Sequence, residues 1–377
     1  FLLLVLDSTA KYPTGLLQGS KSDLGSFDEC IGTVIHDNYG NERIRGQYCN
    51  LDVKMANDTS LLEIIGPALL MSNRRALRFM RYQDDPRVSG VRLGICTTDD
   101  CSDRDLQALF ETRKFVDGKA LVQVNNCVTS QRPPMTKVQI SIIAVLGLLA
   151  ALIVAATSCE AYSLFKKEKA GNSKSAKKCF LAFSLIANTK MLLSVDKSKL
   201  SDSHKLRFLH GIRFFSGLWV VLGHGSCIFD DSSSGQMNIL HYTDQVETSV
   251  ISASFMSVDS FFFVSGFLLT YTLLKVQRSG VIFTLVAIAR RVIRANIPVF
   301  FALMCLYVVP LFATGPNSEE LYNTFYEQMG KHWWELLLQV RNFGKEMEMN
   351  SLSHLWYISA DFQLFLIALV LLQVFQK

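Results

Sequence analysis

The run Val138–Thr157 constrains this chain most: about twenty residues pass without a charge. A stretch of that length is long enough to span a bilayer. Inside hydrocarbon every backbone N–H and C=O must find its partner within the segment, so the run is expected to be an α-helix. Four more apolar segments follow, around Arg213–Phe229, Val250–Leu274, Ile297–Ala313 and Leu355–Phe375. Of the five, the second is short for a crossing, and the fourth carries Pro298 and Pro310, tolerable near helix ends.

The intervening charges agree with five crossings. Residues 166–207 hold eleven Lys/Arg against three acids, and 275–294 hold five Lys/Arg and no acid. Residues 230–249 hold four acids and no Lys/Arg, while 314–352 hold six acids against three bases. Basic loops stay in the cytosol, so residues 1–137 are expected outside the cell or in a lumen. The run Cys179–Leu193 is shorter and interrupted by Asn188 and Lys190. It is expected to be an interfacial helix, because a sixth crossing would break the alternation. The net charge of +5 is thus spread by topology, and no nucleic-acid partner is expected.

Five of the nine cysteines lie early, at Cys30, Cys49, Cys96, Cys101 and Cys127. In an extracytosolic domain they read as disulfide candidates with one thiol left over. Asn57-Asp58-Thr59 is a glycosylation sequon in the same region. The turn-rich DNYGNERIRG and an amphipathic helix from about Gly66, with Arg74, Arg75, Arg78 and Arg81 on a solvated face, complete what this region suggests. Arg132-Pro133-Pro134 reads as a stiff linker. The apolar ends FLLLVL and VLLQVFQK read as cut from a longer protein. The fold class is mainly α: a polytopic α-helical membrane protein with a disulfide-containing N-terminal domain. Its expected divisions are 1–137, a first transmembrane helix at 138–160, a basic cytosolic loop at 161–205, and a membrane domain at 206–377. Plasma membrane and endoplasmic reticulum fit equally.

Within LRFLHGIRFFSGLWVVLGHG (206–225), ten residues separate Arg213 from His224. Eleven helical positions make nearly three turns and rise about 16 Å, which puts both on one face, the arginine near a membrane surface and the histidine near mid-bilayer. Ionisable groups at such depth are costly and face protein or a watery path. An imidazole there can act as a general base, or it can hydrogen-bond a neighbouring helix. Arg290, Arg291 and Arg294 form a second cationic group, with 290 and 294 on a shared face. Guanidinium groups bind phosphates in bidentate fashion, although positive-inside topology also accounts for them. Asp259 and Asp361 lie in apolar surroundings and need partners, Asp259 with His224 or an arginine. Ser265-Gly266 reads as a packing or kink site, and Trp333-Trp334 and Trp356-Tyr357 suit an interface belt. No CxxC or His/Cys cluster has metal-ligand spacing, so no metal or bound cofactor is expected.

Four blocks, in this order, resemble the acyltransferase-3 family of multi-span membrane enzymes: the Arg213–His224 pairing, SVDSFFFVSGFLL, RRVIRANIP and HLWYISADFQLFL. Residues 1–137 are similar to the N-terminal domain of the nose-resistant-to-fluoxetine (NRF) proteins, through LDSTAKYPTGLLQGSKSDLGSFDEC, GQYC and the later cysteines. The resemblance implies transfer of an acyl group from an acyl-CoA-type co-substrate to a lipid or other hydroxyl acceptor. It implies His224 as the essential histidine, Arg213 as its partner, and Arg290, Arg291 and Arg294 at the donor. Asp361 stands where the family often has Glu. NRF-type proteins are also associated with lipid and xenobiotic uptake, so a non-catalytic transport component, with a lipid or drug ligand at the outer domain, is the alternative.

Overall fold

The computed structural model describes residues 2–11, 20, 22–55, 90–112, 120–131, 134–166, 179–195, 202–227, 245–276, 280–344 and 352–375. The sequon at Asn57, the helix expected from Gly66, and Arg132 and Pro133 lie outside them.

The N-terminal domain is built on a sheet. Its central strand β3 (Glu42–Met55) runs antiparallel to β4 (Val91–Thr98) and to β5 (Ala120–Thr129). β2 (Val34–His36) pairs with the first residues of β3, and the two-residue β1 (Ser22–Asp23) lies parallel to β4. The turn in DNYGNERIRG closes the β2–β3 hairpin. There Asp37 Oδ1 accepts from the N–H groups of Tyr39 at 2.8 Å and Asn41 at 2.9 Å, an Asx-type turn. Helix α1 (Leu2–Ser8) and α2 (Phe27–Gly32) pack beside the sheet, and α3 (Asp103–Thr112) lies against β5. FLLLVL is thus helical.

Disulfides Cys30–Cys96 and Cys49–Cys127 fasten α2 to β4 and β3 to β5, closing separations of 66 and 78 residues. Loops of that length are worth roughly 4 kcal/mol each in the chain-entropy account. Cys101 remains a free thiol. Phe27, Cys30, Tyr48 and Cys96 form the buried core. The Tyr48 phenol donates to Leu24 O at 2.9 Å. Gly94 is required opposite it, because a Cβ there would strike both Tyr48 Oη and Leu24 O.

The first membrane helix, α4 (Lys137–Phe165), is apolar around its whole girth and opens with a capping box between Thr136 and Gln139. The short α5 (Leu185–Leu193) folds back on its far end. The first N–H groups of α5 are received by Thr157 Oγ1 at 3.1 Å and Glu160 Oε2 at 3.2 Å, which satisfies orphan donors of a helix start. At nine residues α5 is far too short to cross.

The remaining helices are α6 (Phe208–Cys227), α7 (Ser257–Val276), α8 (Val281–Val308), α9 (Ser318–Leu337) and α10 (Trp356–Phe375). Among the described residues four helices are long and apolar enough to cross a membrane: Lys137–Phe165, Val246–Lys275, Val281–Leu311 and Ser353–Phe375. The chain is an integral membrane protein. Helix α6 has the length, but His210, Arg213 and His224 dilute its apolar character. It packs against α7 and against the short helical turns just before it, where Trp219 Nε1 donates to Val250 O at 2.6 Å. A Cβ at Gly223 would run into Ser254, so the glycine permits that approach.

Two expectations are corrected here. Residues 281–294 are not a loop: α8 starts at Val281, sixteen residues before the expected span, so Arg290, Arg291, Arg294 and Pro298 are all interior to one helix. Nor is 314–352 simply a surface loop. Its α9 packs Phe325, Met329 and Leu336 on Leu303 of α8 and on Leu352, and the segment after α9 makes side-chain contacts with the middles of α8 and α10.

Candidate functional site

Three helices converge on Arg291. Its Nη2 donates to Ser265 Oγ of α7 at 2.7 Å and pairs with Asp361 Oδ2 of α10, and its guanidinium lies over the Phe365 ring, 4.5 Å from the centroid. Tyr357, one turn before Asp361, is within electrostatic range of Asp361, Arg291 and Arg213. The start of α8 is level with the end of α10, where Gly280 N–H donates to Gln373 Oε1 at 3.3 Å. Counting from there, Arg291 and Asp361 both stand about 17 Å along their helices. The two charges stand level with each other and pair across α8 and α10. Ser265 is therefore more than a packing residue, because its hydroxyl accepts from the guanidinium.

The three arginines of the basic block consequently separate. Arg291 is committed inward, whereas Arg290 and Arg294 are exposed. Asp259 is exposed in the first turn of α7. Among the described residues it has no hydrogen bond or ion pair with His224 or an arginine. Asp361 is the carboxylate that meets an arginine.

Arg213 and His224 share one uninterrupted helix, α6. His224 stands in its last turn, not at mid-helix, because α6 runs Phe208–Cys227. Its ring Nδ1 lies 2.9 Å from Val220 O. A carbonyl only accepts, so Nδ1 carries the proton and a neutral ring presents Nε2 as the lone pair. The ring is exposed, and His354, just ahead of α10, is within electrostatic range of it.

A second polar assembly, unmarked by any local sequence signal, joins α9 to α10. Glu335 accepts from His332 Nδ1 at 2.6 Å and from Arg341 Nη1 at 2.8 Å. Arg341 is only 2% exposed, and its N–H donates to Ser359 Oγ at 3.2 Å. Beyond it Gln363 and Asn342 exchange two hydrogen bonds, of 2.9 and 2.8 Å, and Gln363 Nε2 also donates to Gln339 O at 3.0 Å. Gln339 takes φ +58° as the chain turns away from α9, and its amide reaches Asn296 Oδ1 of α8. This irregular backbone sits beside the interiors of two membrane helices, and protein groups receive most of its polar atoms, although Gln339 Oε1 is buried without a partner among the described residues. Helix α10 serves both assemblies. Tyr357, Asp361 and Phe365 follow one face at four-residue spacing, and Ser359 and Gln363 follow another. Ser359 and Gln363 were legible only as polar residues four apart in an apolar helix.

The sheet domain docks on the first turn of α9. Asn50 Nδ2 donates to Pro316 O at 2.8 Å. Arg92, held by Asp52 at 2.9 Å, pairs with Glu320 at 3.2 Å. Asn126 Nδ2 also reaches Glu320, at 3.4 Å.

The family model for the nose resistant-to-fluoxetine protein N-terminal domain matches residues 2–110, and the acyltransferase domain model matches residues 206–377. The chain is similar to nose resistant to fluoxetine protein 6 of Caenorhabditis elegans, 24% identical over 415 residues, covering 98% of this chain and 49% of that protein. It thus spans about half the length of this curated relative. No solved structure matches it. One chain thus carries both matches, a nose resistant-to-fluoxetine N-terminal domain followed by an acyltransferase domain as its membrane body.

Proposed function

We propose that this protein transfers an acyl group from an acyl-CoA-type donor to a hydroxyl acceptor, with His224 as general base. The observation that carries this is the His224 ring: Nδ1 is anchored on Val220 O and Nε2 is left to take a proton, on the helix that also carries Arg213. The donor's phosphates would meet Arg213 with the exposed Arg290 and Arg294, and its pantetheine arm would run along α6 for a rise of about 16 Å. His224 Nε2 takes the acceptor's O–H proton as the oxygen attacks the thioester carbonyl. The C–S bond then breaks, and the leaving thiolate receives that proton from the imidazolium. Arg291 positions Asp361 and Ser265 and does not touch the donor.

Two disulfides and the basic stretch 166–207 that follows α4 support a sheet domain on the extracytosolic side, where Asn57 would be open to glycosylation. In the full-length protein, His224→Ala is expected to lower transfer from labelled acyl-CoA by about 10²–10⁴-fold, with insertion and thermal stability unchanged. Turnover at the wild-type rate would overturn the assignment.

The docking of the sheet domain on α9 favours a second reading, a lipid or xenobiotic uptake component in which that domain captures an apolar ligand. Uptake would then survive His224→Ala and fail on Arg92→Ala.

A further inference from the structure

An apolar cavity of about 400 Å³ opens between α8, α9 and the turn before α10. Its volume falls within the range of small-ligand sites. Pro298, Leu303 and Leu306 of α8 form one wall, and Phe325 of α9 faces them. Among the described residues the polar side chains in the lining are Tyr322 and His354. The same His354 is within electrostatic range of His224.

We infer that this cavity holds the aliphatic tail of a single-chain amphiphile whose hydroxyl headgroup lies at His354. Three observations fix that choice. Apart from Tyr322 and His354 the described lining is hydrocarbon, a poor match for a sugar with its many hydroxyls. The cavity is bounded by a membrane-spanning helix, so an aliphatic chain reaches it from the bilayer without crossing water. A polar ligand group has one imidazole and one phenol to meet, and both donate and accept hydrogen bonds. A hydroxyl suits them, whereas a phosphate would seek a cation, and none is among the described lining residues. The identification of this amphiphile as the acyl acceptor rests on the proposed transfer reaction. Binding of the tail does not.

The test uses full-length protein in detergent with a long-chain fatty alcohol bearing a photoreactive diazirine on its tail, and no acyl donor. The label is expected on peptides of Pro298–Leu306, Leu321–Phe325 or Leu352–Leu355. Ala302→Trp, which fills the cavity from an exposed position on α8, is expected to lower labelling about tenfold. His354→Ala is expected to erase the preference for the alcohol over an alkane of equal length. His224→Ala is expected to leave labelling intact, which separates failure of the chemistry from failure of the site. Label mapping elsewhere on wild-type protein overturns the inference without recourse to any variant. So does undiminished labelling of an Ala302→Trp protein whose melting temperature is unchanged.

Discussion

Both carboxylate oxygens of Glu335 are taken, one by His332 and one by Arg341. Deleting that carboxylate strands a buried guanidinium, and breaking a buried pair from one side costs about 3–5 kcal/mol. Glu335→Ala is therefore expected to lower the melting temperature strongly. The double change Glu335→Met with Arg341→Leu should recover most of the loss, since it leaves no lone charge. Thermal unfolding in detergent reads both. Tyr48 gives a test that depends on pH. Burial pushes its phenol well above the ordinary value of 10.0. The folded domain therefore holds the proton more tightly than the unfolded chain does. That stabilisation is complete below about pH 10 and falls by up to about 1.4 kcal/mol per pH unit above it. Hydrogen exchange of the β3 and β4 amides should quicken through that range in wild-type protein and show a shallower pH dependence in Tyr48→Phe. At this scale the sequence showed which residues were chemically costly, Arg213, His224 and Asp361 among them. It did not show who met whom, since Asp361 and Arg291 are 70 positions apart.

At the scale of elements, legibility followed composition. Val138–Thr157 has no charge, and the helix that contains it runs Lys137–Phe165. Helix α8 was misread for the opposite reason. Counting charges assigns arginines to loops, but Arg291 is neutralised by α10, so the helix continues through it. The segment after α9 was hidden too, because six acids against three bases in 314–352 describe a water-facing loop. The acid and base that matter, Glu335 and Arg341, cancel each other at depth. Strand β3 gave no warning because its alternation is broken by Arg45, Gly46 and Gln47. Its fourteen residues are held by strands on both edges and by a disulfide, not by a strong local pattern.

For the whole molecule, the decisive relation is between the disulfide-bonded sheet and the membrane body, joined through Arg92, Glu320, Asn50 and the Pro316 carbonyl. Arg92 bridges the exposed Glu320 and the half-buried Asp52, with 15% of its own side chain exposed. Arg92→Ala is expected to cost about 1–3 kcal/mol, since it leaves Asp52 and Glu320 short of a donor. Limited proteolysis should then release the sheet domain several-fold faster, while the helical body keeps its melting temperature. Equal release rates would show that the interface is held elsewhere. Helix α9 is the piece both halves share. Its start is gripped by the sheet, its first two turns also wall the apolar cavity, and its last turn is bolted to Arg341. It acts as a lever with a handle in water and a foot in oil, so a compound that seizes the handle can alter what the protein holds in the bilayer without ever dissolving in it.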